Sequence, residues 1–167
     1  MRAPVARADV SREYQLKAAF LLNFAQYIEW PTGAFADAKS PICIGILGND
    51  PFGGALDTTI EGESVNGRKL IIQRSKTVSE LKQCHLVFVS RSEQAQVSEI
   101  LKELKSTNAA TVGEVNQFTQ SGGIINFFMD GNKVRFEINP GEATRRGMKI
   151  SSQLLKLGRI TETESGG

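Results

Sequence analysis

The chain has 167 residues, of which 40% are hydrophobic and 23% are charged, and its formal net charge is +2. This length and composition predict one globular domain whose core is large enough to be stable without a structural metal. The basic residues are scattered rather than clustered with aromatic residues, which argues against nucleic-acid binding. No apolar run reaches the roughly 20 residues that a membrane-spanning helix requires, so we expect no membrane insertion.

The first residues contain the small-x-small pattern Ala6-Arg7-Ala8, which is typical of a signal-peptidase site. The charged and apolar regions of a signal peptide do not precede it, so the pattern indicates either the remnant of a removed export signal or a chance match. We predict a disordered remnant over residues 1–10, a single domain over residues 11–160 and a flexible polar tail over residues 161–167.

An unusually apolar helix is predicted over Ser11–Trp30. Ser11 is a suitable N-cap, and Pro31 ends the helix because the residue before a proline disfavours helical backbone. The apolar residues cover too much of the helix surface for a helix with one solvent-exposed face. We therefore expect this helix to be buried on most sides, or to pack between the core and a partner.

The rest of the chain alternates between short apolar runs, typical of buried strands, and segments with helical periodicity. Asp50, followed by Pro51, predicts the N-cap of one helix. Ser92 and Ser151 predict two further N-caps, and Gly147 predicts a C-cap. The predicted strands are Pro41–Gly48, Lys69–Gln73, Cys84–Val89, Ala109–Val112, Ile124–Met129 and Lys133–Asn139, and short helical segments are predicted over Val78–Lys82, up to Phe118 and over Glu142–Arg146.

This order of elements predicts an α/β fold. Strands that alternate with helices form a mostly parallel central sheet with helices on both faces, which is a Rossmann-like three-layer arrangement. The turn Asp130-Gly131-Asn132 between the last two strands predicts an antiparallel hairpin at one edge of this sheet.

The sequence lacks the residues that catalysis or metal binding would need. The segment Gly45–Gly54 lies at a strand-to-helix turn, where α/β folds bind phosphates, but it lacks the G-x-G-x-x-G spacing and the P-loop lysine. Ser90-Arg91-Ser92 follows a strand where a receiver domain would have its phosphorylated aspartate. Cys84 and His85 are neighbours on a strand and point to opposite faces, so they are poorly placed for a Cys–His dyad. We predict no enzyme, no cofactor and no metal, and we interpret His85 as structural.

The last predicted strand offers a candidate surface for partner or dimer binding. Strand alternation places Arg135, Glu137 and Asn139 on one face. This polar row predicts either a docking surface or a solvated face with a local ion pair between Arg135 and Glu137.

The aromatic end of the first helix is the second candidate binding surface. Phe24, Tyr27 and Trp30 lie there, and tryptophan is common in the centres of protein interfaces. The competing interpretation is that Trp30 belongs to the core.

Several segments follow one another with a spacing that is typical of one family. They are Lys17–Phe24 running into Glu29-Trp30-Pro31, then Ile46–Gly53, Asn66-Gly67-Arg68, Cys84–Ser90, Gly122–Phe127, Val134–Asn139 and Ile150–Leu155. Together they resemble the YfiR-like (YfiR/HmsC) family of periplasmic proteins. The resemblance covers about residues 14 to 160.

The resemblance implies a periplasmic regulatory protein without catalytic residues. Such a protein represses a membrane-bound diguanylate cyclase by binding its periplasmic region, which lowers cyclic-di-GMP and with it biofilm and exopolysaccharide output. The resemblance also implies a homodimer, and an OmpA-like outer-membrane lipoprotein that sequesters the repressor. The alternative is a periplasmic sensor of a small ligand, with a pocket where the strands end against helices.

Cys43 and Cys84 are the two cysteines of the chain. By themselves they are consistent with two buried thiols or with one disulfide, which would favour an oxidising compartment. The resemblance implies the disulfide, because the family has one between the first central strand and the start of a later strand. A second disulfide of some family members has no counterpart in this sequence.

Overall fold

A computed structural model describes residues 3–164, and their side chains from residue 11 onwards. The strands are β1 (Ile28–Glu29), β2 (Ile42–Leu47), β3 (Ser64–Val65), β4 (Arg68–Ser75), β5 (Leu86–Val89), β6 (Ala110–Gly113), β7 (Ile125–Asp130), β8 (Lys133–Ile138), β9 (Lys149–Ile150) and β10 (Arg159–Ile160). The α-helices are α1 (Ala3–Tyr27), α2 (Ala55–Ile60), α3 (Val97–Leu104), α4 (Pro140–Arg145) and α5 (Ser152–Leu155), and 3-10 helices cover Thr32–Ala34, Val78–Leu81 and Arg91–Gln96.

Eight strands form the central sheet in the order β10-β8-β7-β6-β5-β2-β4-β3. The five neighbours from β7 to β4 run parallel, β7 and β8 form an antiparallel hairpin, and β3 lies antiparallel to β4. The mostly parallel sheet and its antiparallel hairpin are therefore confirmed. The hairpin is not the outermost element, because β10 pairs in parallel with the outer side of β8. Strands β1 and β9 form a separate antiparallel pair.

Helices cover both faces of the sheet, as the alternation of strands and helices predicts. Residues 42, 44 and 46 of β2 point into a core shared with α1, α2, α4 and α5. Cys43 and Leu47, at alternate positions of the same strand, point to the opposite face and into a second core with α3 and Leu81. β2, β5 and β6 are buried at every position, which explains why the central strands read as continuous apolar runs.

Helix α1 differs from its predicted bounds at both ends. It begins at Ala3, so residues 3–10, predicted to be a disordered remnant, are helical, and Ser11 is an interior residue rather than an N-cap. Alanine-rich sequence with a proline near the start favours a helix there. The helix ends at Tyr27 because the next two residues pair with β9. Residues 1 and 2 of the predicted remnant lie outside the described residues.

Two predicted N-caps are wrong because the local turns use neighbouring groups. Asp50 accepts a hydrogen bond from the Phe52 backbone N–H in a tight turn, and α2 begins five residues later. Ser90, not Ser92, caps the 3-10 helix that precedes α3. The predicted helix up to Phe118 is a series of turns.

The predicted cap residues around α4 and α5 are confirmed. Gly147 has a φ of +76°, which is the left-handed backbone that a glycine C-cap provides after α4. The Ser151 hydroxyl accepts a hydrogen bond from the Gln153 N–H at the start of α5.

The packed domain extends beyond the predicted boundary at residue 160. The backbone N–H of Thr161 donates to the Ile138 carbonyl, and that of Glu164 donates to the Gln120 carbonyl. These hydrogen bonds attach residues 161–164 to β8 and to the turns after β6. Residues 165–167 of the predicted tail lie outside the described residues.

Candidate functional site

The carboxyl ends of the parallel strands are the usual ligand site of an α/β sheet, at the point where the strand order reverses. Here that point lies between β2 and β5, and the loops that follow them contact each other. The Asn49 N–H donates to the Ser92 hydroxyl over 3.0 Å, and this hydroxyl donates to the Glu93 carboxylate over 2.9 Å. Gly48 has a φ of +96°, and a Cβ there would lie 2.6 Å from the same hydroxyl. The protein's own side chains therefore occupy this crevice, and a carboxylate there would repel a phosphate.

A buried charged cluster fills the neighbouring strand end. The Lys17 side chain is 1% exposed, and its ammonium group lies 2.7 Å from the Glu114 carboxylate and 2.5 Å from that of Glu13. The Tyr14 hydroxyl donates to Glu114 over 3.0 Å, and burial together with the Glu114 charge raises the pKa of Tyr14. The lysine also lies over the Tyr14 and Phe127 rings, at 4.7 and 5.5 Å from their centres.

This cluster attaches α1 to the end of β6. Sequence reasoning did not find it, although a lysine within the apolar run of α1 is a usable signal for a buried ion pair. Its charges are paired with one another, so we interpret the cluster as structural.

An aromatic cluster lies at the opposite, amino end of the sheet. The Trp30 Nε1–H donates to the His85 carbonyl over 3.0 Å, and the Phe35 ring stacks on the His85 ring with centres 4.3 Å apart. The Arg68 guanidinium covers the other side of Phe35 at 3.7 Å from the ring centre. His85 itself is 6% exposed, so the prediction of a structural histidine fits its position.

The hydrogen bonds of His85 define its protonation state. Its Nδ1 accepts from the Cys43 backbone N–H over 3.1 Å, which leaves Nε2–H to donate to the Ala34 carbonyl at 2.9 Å. Burial lowers the pKa of His85, and the Ala34 carbonyl opposes this shift while the positive charge of Arg68 adds to it. The ring is therefore neutral at pH 7 and joins the loop after α1 to β2.

The disulfide that the resemblance implies is present beside this cluster. Cys43 and Cys84 are bonded, with their Cα atoms 4.6 Å apart, and both are buried. The bond joins β2 to the residue that precedes His85, on the face of the sheet that α3 covers. It therefore links the first central strand, β2, covalently to the residues just before β5.

A cleft of about 490 Å³ opens in front of the aromatic cluster. Its walls include Trp30, Phe35 and Arg68, with Glu29 and Asn66 among the polar residues. A second cleft of about 530 Å³, lined by the β1–β9 pair, shares Glu29 and Asn66 with the first. The site has aromatic walls and a few charged groups, which is the usual composition of a small-ligand site.

The polar row predicted on β8 is not a docking surface at two of its three positions. Glu137 is 3% exposed and accepts from the Thr119 hydroxyl at 3.0 Å and from Arg159 at 2.6 Å. Asn139 is fully buried and donates to the Thr119 carbonyl. The loop after β6 and the C-terminal segment cover this face, which is why both side chains are enclosed. Arg135 is exposed and pairs with Asp130, not with Glu137.

The aromatic surface predicted at the end of α1 is mostly core. Phe24 is fully buried and packs against Phe127 and Phe136, and Trp30 is 8% exposed. The interpretation of Trp30 as a core residue is therefore the correct one, and neither residue is accessible to a partner. Tyr27 is half-buried. Of the predicted contact residues, Tyr27 and Arg135 are accessible and stay predictions.

A family model described as DUF4154, YfiR/HmsC-like, matches residues 14–159. The chain belongs to the YfiR/HmsC-like family. This family is periplasmic, regulatory rather than catalytic, and associated with the control of diguanylate cyclases. Across residues 3–164, we find no helix with the length and apolarity needed to cross a membrane.

Solved structures share the fold of this YfiR/HmsC-like chain. An ABC domain from Streptococcus pneumonia in complex with L-Trp matches 72% of the chain at 12% identity, with a TM-score of 0.53. A conserved domain protein from Vibrio cholerae matches 72% at 11% identity, with a TM-score of 0.54. The chain spans only 55% and 54% of these two proteins. No curated protein matches the sequence.

Proposed function

We propose that this protein represses a membrane-bound diguanylate cyclase by binding its periplasmic region, and so lowers cyclic-di-GMP and biofilm or exopolysaccharide output. The observation that carries the proposal is the family match over residues 14–159. The closed carboxyl ends of β2 and β5 add support, because they leave no open crevice at the place where an α/β enzyme binds its substrate.

Exposed apolar surface supports binding through the edge of the sheet that carries Arg135, which is formed by β7, β8 and β10. Met129 on the β7–β8 hairpin is 42% exposed, Leu157 shortly before β10 is 62% exposed, and Ile160 in β10 is 55% exposed. Arg135 and Arg159 both lie over the ring of Phe128 in the same region. Aromatic residues, methionine and arginine are enriched in protein interfaces, and Phe128, Met129 and the two arginines supply them here.

Binding to the purified periplasmic segment of an inner-membrane diguanylate cyclase tests the proposal. We expect Arg135→Glu and Met129→Glu each to weaken binding by about tenfold or more, because each places a carboxylate in the contact. Lys102→Glu on α3 is the matched control, because it makes a similar charge change at an exposed site elsewhere. If the unchanged protein neither binds the segment nor lowers cyclic-di-GMP in cells that contain the cyclase, the proposal is wrong.

A homodimer and sequestration by an OmpA-like outer-membrane lipoprotein are further parts of this proposal, and Tyr27 is a candidate dimer contact. Light scattering of the purified protein measures the mass directly, and a monomer at all concentrations would contradict the homodimer. Addition of the lipoprotein's periplasmic domain to the repressor–cyclase complex is expected to release the cyclase segment.

Export to the periplasm is proposed together with the disulfide, because disulfides persist in oxidising compartments. Mass spectrometry of peptides from periplasmically expressed protein, digested without reductant, is expected to show a crosslink between Cys43 and Cys84. Two free thiols in that protein would contradict the pairing and weaken the case for export.

The second candidate function is a periplasmic sensor of a small ligand. The cleft at the amino end of the sheet favours it, because Trp30 and Phe35 offer aromatic walls and Arg68 offers a cation. A ligand that binds there is expected to raise the melting temperature and to change the fluorescence of Trp30, the single tryptophan. A ligand that binds the protein without either change would not occupy this cleft.

A further inference from the structure

The outer side of β4 is an incompletely paired sheet edge. On its inner side β4 pairs with β2 along six residues, from Leu70 to Ser75. On its outer side β3 pairs only with Arg68 and Lys69. Within residues 3–164, no strand pairs with the outer side of the remaining six residues. Their outward backbone groups therefore form a template for one more strand.

Charged residues flank the middle of this edge, at Lys69 and Arg74, but the segment between them lacks the features with which proteins usually protect an exposed strand. Leu70 and Ile72 belong to or pack against the core, whereas Ile71 points to the other face and is 45% exposed. The register places Ile71 beside Cys43 of the disulfide. Between Leu70 and Gln73 there is no proline and no charged residue, and either would hinder the addition of a strand.

A cleft along the same edge has an excess of unpaired negative charge. It measures about 790 Å³ and includes Glu61 and Glu63 in its lining, together with Lys69 and Arg74. The Arg74 guanidinium is already bound by Asp57 at 2.7 Å and by Asp50. Among the residues that the structure describes, Glu61, Glu63 and Lys69 form no ion pair, which leaves one carboxylate in excess. The free carboxylates favour an occupant with basic side chains.

A second copy of the chain is a poor occupant of this edge. In an antiparallel pair, residues opposite each other lie on the same face, and β3 blocks any overlap with Arg68 and Lys69. Two antiparallel registers remain in which Ile72 is still paired. One places Leu70 of one copy opposite Arg74 of the other copy, and the other register places Ile72 opposite Arg74. They also bring the two carboxylate-lined clefts together on one face, where like charges repel.

We propose that the Leu70–Ser75 edge binds an extended segment of a second protein by addition of a β-strand to the sheet. The backbone of this segment pairs with β4, an apolar side chain covers Ile71, and a basic side chain on the other face contacts Glu61 and Glu63. The site lies at the opposite edge of the sheet from Arg135 and does not depend on the proposed cyclase contact.

A synthetic octapeptide of alternating valine and lysine, acetylated, amidated and fluorescently labelled, is the probe. We expect its fluorescence anisotropy to rise with protein concentration, and we expect a peptide with glutamate in place of lysine to bind about tenfold more weakly or less. A lysine–valine peptide with every backbone nitrogen methylated is expected to lose binding, because it has no N–H group to donate to β4 from either of its edges.

Variants of the protein locate the site. Ile71→Glu and the double variant Glu61→Lys with Glu63→Lys are each expected to weaken peptide binding by about tenfold. Leu157→Glu, at the opposite sheet edge, is the matched control and should bind as the unchanged protein does. Thermal melts establish that each variant is folded, and amide hydrogen exchange of the unchanged protein is expected to show new protection at Leu70–Ser75.

Any of the following results would overturn the proposal. They are no binding of the lysine–valine peptide, equal binding of the methylated peptide, or binding that Ile71→Glu and the glutamate variants leave unchanged. New amide protection confined to another strand would have the same consequence.

Discussion

Lys17 lies in an aliphatic stretch of α1 with 1% of its side chain exposed, and its charge is stabilised only by groups of the protein. The carboxylate of Glu114, itself 2% exposed, faces it from the end of β6. Removing two charges from water costs several kcal/mol per ion, and their attraction offsets this cost only when the pair is complete. The loss of one partner should therefore be more harmful than the loss of both.

We expect Lys17→Met to lower the free energy of unfolding by about 3–5 kcal/mol, because it leaves Glu114 buried without its cation. The double variant Lys17→Met with Glu114→Gln should recover part of this loss, because the uncharged amide can still accept from Tyr14. Urea denaturation of both variants measures the difference. A double variant less stable than Lys17→Met would contradict this account.

His85 should make the stability of the protein depend on pH. Burial lowers its pKa below the value of 6.5 for an exposed histidine, so below that pH the unfolded chain binds a proton that the folded protein resists. The stabilising contribution is complete above pH 6.5 and is lost as the pH falls toward the folded pKa. We expect the free energy of unfolding to decrease between about pH 7 and pH 5.5, with a smaller decrease in His85→Gln. Equal slopes for both proteins would assign the pH dependence to other groups.

At the scale of elements, the central strands were predictable because their burial leaves a direct trace in the sequence. β2 and β5 are apolar at every position, since both of their faces are covered. The hairpin was predictable because a glycine permits the positive φ that a two-residue turn needs, and Gly131, which follows the last residue of β7, has a φ of +64°. Helix starts were less predictable, because the side chains of residues such as Asp50 and Ser92 can form hydrogen bonds with nearby backbone groups in turns as well as in helix caps.

The buried state of Glu137 and Asn139 was not predictable from strand alternation. Alternation places them on the face opposite Phe136, but it does not indicate whether a distant segment covers that face. Here the cover comes from β10 and from the residues around Thr119. The prediction of the candidate site was therefore least accurate where the burial of a residue depends on segments that are far away in the chain.

An ion pair between Arg159 and Glu137 joins β10 to β8 in addition to their backbone pairing. The glutamate side chain is 5% exposed, so it loses hydration on folding and needs the bond of 2.6 Å to the arginine. We expect Arg159→Met to reduce the free energy of unfolding by about 1–3 kcal/mol, because the buried carboxylate then keeps only weaker neutral donors. Arg135→Met is the matched control, since its pair with Asp130 is exposed on both sides and should contribute less than about 1 kcal/mol. Both values come from urea denaturation, and equal losses would contradict the role given to burial.

At the scale of the whole molecule, the side chains described from residue 11 to residue 164 form two cores, which the central sheet separates. The first core includes Leu21 and Trp30, and the second includes Leu104 of α3. The same strands supply side chains to both, so neither core can be lost while the sheet stays intact. The two faces should therefore unfold in a single cooperative transition.

We expect Leu21→Ala and Leu104→Ala to shift one common unfolding transition, each by about 2–5 kcal/mol. Both side chains are fully buried, so each truncation leaves a cavity in its own core. The fluorescence of Trp30 reports on the first core and far-ultraviolet circular dichroism reports on the whole chain. Leu104→Ala should therefore move the fluorescence transition as far as the dichroism transition, although residue 104 lies across the sheet from Trp30. A fluorescence transition that Leu104→Ala leaves unchanged would show that the two faces unfold independently, and it would contradict the single cooperative domain.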